Sequence, residues 1–135
     1  MSMNKKIAIL FLATMVVCAS GLYAQTAPFE PVYTGYTLEA PINTQKLASA
    51  IRLGLAHYNW VVIEEAEGSI TARFEKSNGS IYAVIKVVFD KNSYHIEYVD
   101  SKNLDADLEE KIIHRNYMRW IRNLDKYIYM HYNRN

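Results

Sequence analysis

The stretch SITARFEKSNGSIYAVIKVVFDKNSYHIEYVD, residues 69–100, alternates apolar and polar side chains and is cut twice by clusters of turn residues. A period of two sends successive side chains to opposite faces of a strand, so Ile70, Ala72 and Phe74 define one face and Thr71, Arg73 and Glu75 the other. Ser77-Asn78-Gly79-Ser80 reads as a hairpin, because Asn-Gly tolerates the positive φ angles of a type I′ turn. In the strand over 81–90, Ile81, Ala83, Ile85, Val87 and Phe89 should face a core, with Tyr82, Val84, Lys86 and Val88 on the other side. Residues 90–93 (DKNS) make the next turn. The strand over 94–100 then points Tyr94, Ile96 and Tyr98 inward and His95, Glu97 and Val99 outward. WVVIEEA, residues 60–66, is one further strand upstream. Short turns between successive strands predict a four-stranded antiparallel meander.

Working outward, the period changes from two to nearly four on both sides. Leu47, Ala50, Ile51, Gly54, Leu55 and Tyr58 recur at spacings of three and four, with Asn43 placed to cap the helix start. Gly54 costs about 1 kcal/mol of helix propensity against alanine, and close approach to the sheet is the expected compensation. Downstream, Ile113, Tyr117, Trp120, Ile121, Leu124 and Ile128 share one side of a helical wheel, while Lys111, Arg115, Arg119, Arg122 and Lys126 share the other. Arginines and aromatics that alternate in sequence therefore separate in space, with the cations facing water. Asp107 with Glu110 suits a capping box, which would start this helix there; a start near His114 is the alternative.

Residues 25–40 contain Pro28, Pro31 and Gly35 without periodicity and read as an extended, loosely held arm, with Tyr33, Tyr36 and Leu38 able to pin its end. Before it, Lys5 and Lys6 precede the apolar run Ile7 to Val17, a pattern expected of an export signal. Cleavage is expected after Ala24, with Ala19 the alternative site. Val17 before Cys18 is not the small residue that a lipid-anchoring signal needs, so anchoring is disfavoured. The division is thus 1–24 signal peptide, 25–40 arm and 41–132 a single domain. The expected product is periplasmic or secreted, without a transmembrane segment. Removing the signal removes the single cysteine, and with it any disulfide or thiolate chemistry. It also leaves 13 Lys+Arg against 14 Asp+Glu, a balance that argues against bulk nucleic-acid binding.

Catalytic signatures are absent: no Gly-x-Ser-x-Gly, phosphate-cradling loop or His-Glu-x-x-His occurs. His57, His95, His114 and His131 share no ligand spacing, so neither a metal nor a cofactor is expected. Glu64 and Glu65, adjacent on a strand, point to opposite faces and make a poor acid–base pair. One polar corner stands out. Asp100, Ser101 and Asn103 follow the last strand, and His114 and Asn116 lie at the start of the last helix, beside Tyr117 and Trp120. These groups either shape a hydrogen-bonded turn or line a small polar pocket.

HYNWVVIEEAEGSITA (57–72), YHIEYVDSKNL (94–104) and IHRNYMRWIRNL (113–124) also resemble the recurring segments of a family of small bacterial cell-envelope proteins, many of them lipoproteins. The likeness spans roughly residues 42–128, and the two later segments carry it. It implies a location and a fold and brings no established activity. The chain departs from the family pattern in the acidic linker DADLEE (105–110) and in lacking a lipid-anchoring signal.

The expected fold is α+β: helix, four-stranded meander, helix, with both helices on one sheet face. Two functions follow as expectations. One is a non-enzymatic binding or assembly module for a protein or envelope component. It would use the open sheet face (Tyr82, Val84, Val88, Val99) or the aromatic tail (Tyr127, Tyr129, Tyr132). The other is a small hydrolase or ligand-binding enzyme at the polar corner, a reading for which no clear nucleophile is evident.

Overall fold

The computed structural model describes residues 25–134, so the expected export signal lies outside them. The fold is α+β, in the order β1 (Thr26–Pro28), β2 (Val32–Tyr33), α1 (Thr44–His57), β3 (Val61–Ala66), β4 (Ser69–Lys76), β5 (Ile81–Phe89), β6 (Tyr94–Lys102), β7 (Ile112–His114) and α2 (Arg115–Asn133). The main sheet has five strands rather than four, in the order β2-β6-β5-β4-β3, and every pairing is antiparallel. β1 and β7 form a separate two-stranded ribbon.

The arm supplies the added strands. Val32 pairs with Glu97 and Tyr33 with Ile96, so β2 covers the edge of β6. Phe29 and Leu38 are buried, and Phe29 meets Tyr98 and Tyr117 edge to face at 5.6 and 5.9 Å. The arm is therefore held through its apolar side chains and backbone. Strands of two and three residues are too short to show a period, which is why the segment reads as loose in sequence.

The interior is one apolar cluster. It joins Leu47, Ile51 and Leu55 of α1, Ile70, Ile85, Val87 and Ile96 of the sheet, and Ile113, Tyr117, Ile121, Leu124 and Ile128 of β7 and α2. Trp60 belongs to it, whereas Phe74, Ile81, Phe89 and Trp120 are only partly buried against it.

Asn43 caps α1 as expected, its side chain accepting from the Lys46 N–H at 3.0 Å. The close approach at Gly54 is to α2 rather than to the sheet. A Cβ there would sit 3.2–3.3 Å from Leu124, Tyr127 and Ile128. α2 begins at Arg115 with His114 as its cap, the alternative start, and not at Asp107. The Asp107 carboxylate does accept from the N–H groups of Glu109 and Glu110, both at 3.1 Å. The turn then closes on itself through the Asp107–Ile112 backbone pair, Lys111 takes φ +54°, and β7 is drawn to β1 before the helix can start. The first hairpin uses positive φ at Ser77, Asn78 and Gly79 in succession, one residue more than a type I′ turn.

Two bulges reset the alternation. One, at Ile63, leaves Glu64 opposite Thr71 and Glu65 opposite Ile70, so the two glutamates do face opposite ways. The other falls at Val99: Tyr98 is paired with Ile85 and Asp100 with Val84.

Candidate functional site

The Val99 bulge divides the residues of the expected polar corner between the two sheet faces. Unbroken alternation would put Asp100 on the side of Tyr98; the extra residue moves it to the outer face beside Val84 and sends Ser101 inward opposite Ala83. Asp100 then accepts from the Tyr82 hydroxyl at 3.1 Å, a bond that raises the Tyr82 pKa by favouring the neutral phenol. Ser101 Oγ lies 2.6 Å from the Tyr98 hydroxyl. Asn103, with φ +57°, donates to the Ser80 carbonyl at 2.7 Å and buttresses the first hairpin. His114 Nδ1 accepts from the Asn116 N–H at 3.2 Å and caps α2; the Asn116 side chain accepts from Arg119 at 3.0 Å. Tyr117 is buried, and burial pushes its hydroxyl pKa up. Trp120 packs on Phe74 at 4.8 Å, away from these groups. The corner residues are thus spread among separate local hydrogen bonds. They present no nucleophile joined to a base.

The aromatic tail is occupied internally. Tyr127 lies stacked between His57 at 4.5 Å and His131 at 4.3 Å. Tyr129 stacks on Tyr36 of the arm at 4.5 Å. The Tyr132 hydroxyl accepts from the Asn43 N–H at 2.9 Å, and Lys46 lies over its ring. The tail ties α2 to α1 and to the arm; Met130 alone of its large apolar side chains is half-exposed.

The outer sheet face lies opposite the side chains of the apolar cluster. The strand pairings arrange it in rows: Ser69–Val88–His95, Thr71–Lys86–Glu97, Arg73–Val84–Asp100 and Glu75–Tyr82–Lys102. Thr71 and Val84 at its centre are nearly closed off, at 8 % exposure each. Around them Val61 is 65 % exposed, Val32 51 % and Val99 50 %. Arg73 bonds Glu75 at 2.7 Å and lies over the Tyr82 ring at 3.9 Å.

One site was missed in the sequence. Asp125 of α2 is 1 % exposed. It accepts from the Tyr94 hydroxyl at 2.5 Å and from the Tyr36 N–H at 3.0 Å. Burial raises its pKa, opposed by those two hydrogen bonds. Burial, with Asp125 itself, raises that of Tyr94 strongly. A cavity of about 360 Å³ beside the carboxylate is lined by Tyr33, Gly35, Tyr36, Arg122, Asn123 and Lys126. The signal was there: Ile121, Leu124, Asp125 and Ile128 form one i, i+3, i+4, i+7 stripe, and an acid on an apolar stripe needs a partner.

Among the described residues, no buried side-chain polar atom lacks a hydrogen-bond partner. Among them, too, no group of three His, Cys, Asp or Glu could hold a metal ion, and no helix is long and apolar enough to cross a membrane. Comparison with protein-family models, with curated proteins and with solved structures gave no match to this chain.

Proposed function

We propose that the protein is an exported, non-enzymatic binding module of the cell envelope, and that the outer sheet face is its working surface. Export rests on the Lys5-Lys6 and Ile7–Val17 pattern, and the envelope setting on the resemblance carried by residues 94–104 and 113–124. Both helices are taken as one layer on the Ile70/Ile85/Ile96 side, which leaves the other side free. The observation that carries the reading is the set of half-exposed valines, Val61, Val32 and Val99, ringing Val84 on that free side. The hydrolase alternative is weaker, because Ser101 Oγ is paired with the Tyr98 hydroxyl rather than with a base.

Photo-crosslinking in intact cells tests the proposal. A photoreactive phenylalanine in place of Val99 should give discrete adducts, and one in place of Arg119, exposed on α2, should not. Equal labelling at both positions, or none at Val99, would count against the sheet face. Loss of function in Ser101→Ala at unchanged abundance and melting temperature would favour the hydrolase.

A further inference from the structure

We infer that the occupant of the outer sheet face is a second copy of this chain, docked face to face about a two-fold axis running along β5. The inference rests on the sheet-face reading above and names its partner. Its basis is the charge order of the rows. In the Arg73–Val84–Asp100 row the cation lies on β4 and the anion on β6. In the Glu75–Tyr82–Lys102 row the order is reversed. A two-fold axis along β5 keeps each residue's level along the strand and exchanges the β4 and β6 sides. Arg73 of one copy then falls on Asp100 of the other, and Glu75 on Lys102. Each contact occurs twice by symmetry, as an isologous interface requires.

The same axis sets the remaining contacts. Val84 lies at the crossing point but is already only 8 % exposed in its own copy, so the contact there is made by the side chains around it. Tyr82 and Val88 also lie on β5 and meet their counterparts along the axis. Lys86 meets Lys86, a like-charge contact that opposes docking and is offset only by the flanking Glu97 of each copy, which is shared with His95 at 2.7 Å. Stacked sheets cross at about 30°, which slides neighbouring strands by only about 2.5 Å, less than one residue, so the charge rows keep their partners. Under this axis β4 and β6 face each other and β5 faces β5, while β3 falls on the two-residue β2, so three long strands cover roughly 400 Å² per copy, or about 800 Å² in total. That is below the area of a stable specific interface and implies a weak, reversible dimer. In the monomer Arg73 already lies over the Tyr82 ring and shields that part of the face.

The test is a charge exchange, read by sedimentation velocity on protein purified from cells expressing the full chain. The wild type should show a concentration-dependent monomer–dimer equilibrium. Arg73→Asp alone and Asp100→Arg alone each juxtapose like charges and should weaken the dimer at least about tenfold. Mixed together, the two variants should form a heterodimer, because each supplies the charge the other lacks. Glu75→Lys mixed with Lys102→Glu repeats the design on the neighbouring row, should either first-row variant melt early. A wild type that stays monomeric at every concentration overturns the inference, as does a dimer that both single variants leave intact. A monomer that still gives discrete hetero-adducts from the Val99 position would sink the dimer while leaving the sheet-face reading standing. Absence of both dimer and adducts would remove both.

Discussion

A single carboxylate shows how closely the arm is fitted to the domain. Asp125 is enclosed, yet both of its oxygens are used, by Tyr94 and by the backbone of Tyr36. Gly35 precedes that N–H, and a Cβ there would lie 1.9 Å from Asp125 Oδ2, so the approach has room for glycine alone. Asp125→Ala should lose about 1–3 kcal/mol, since it strands the buried Tyr94 hydroxyl. Asp125→Asn can accept from Tyr36 and donate to Tyr94, and should stay much closer to the wild type near neutrality. The two should also differ in pH dependence. The folded-state pKa of Asp125 is raised above its ordinary 3.8, so the folded protein holds this proton more tightly than the unfolded chain. Its stabilising contribution is complete below pH 3.8 and declines as pH rises through the folded-state value. Thermal melts from acid to neutral pH should show the wild type losing stability relative to Asp125→Asn across that window. A constant difference would mean that Asp125 does not titrate differently in the two states.

At the scale of elements, the arm and the start of α2 depend on one another. β1 pairs with β7, and Phe29, buried between Tyr98 and Tyr117, connects that ribbon to the interior. Phe29→Ala should cost about 3–5 kcal/mol, the range for deleting a buried aromatic ring. Hydrogen exchange should speed up over both residues 25–40 and residues 112–118. Exchange that changes in the arm alone would uncouple the two segments. The outcome bears on how much of the fold could be read beforehand. Strands over 60–100 were legible because burial on one face imposes a period of two and the connections are local. The ribbon was not, because Thr26 finds His114 across most of the domain and no local pattern announces a three-residue strand. The helix start misled for a related reason. Asp107 makes capping-type hydrogen bonds, but the strand partner available to Ile112–His114 closes that segment as a turn first.

Over the whole molecule, the arm, both helices and the sheet contribute to one apolar cluster. Such a unit should unfold cooperatively. Trp60 lies within the cluster and Trp120 at its margin, so the two tryptophans sample different depths of it. Melts of Trp60→Phe and Trp120→Phe proteins, each followed by its remaining tryptophan, should match their own far-ultraviolet dichroism transitions. Transitions that separate would show the arm or α2 leaving first. The sequence by itself determined the α+β class, four strands of the sheet, both helices with their buried faces, and the cap at Asn43, because each depends on periodicity or on a neighbour a few residues away. Tertiary structure decided the fifth strand, the β1–β7 ribbon, the partners of Asp125 and the division of Asp100 from Ser101. The physical reason is shared by all four. Short strands and enclosed polar groups are stabilised only by distant partners, and one bulged residue at Val99 reverses the facing of everything after it in the strand.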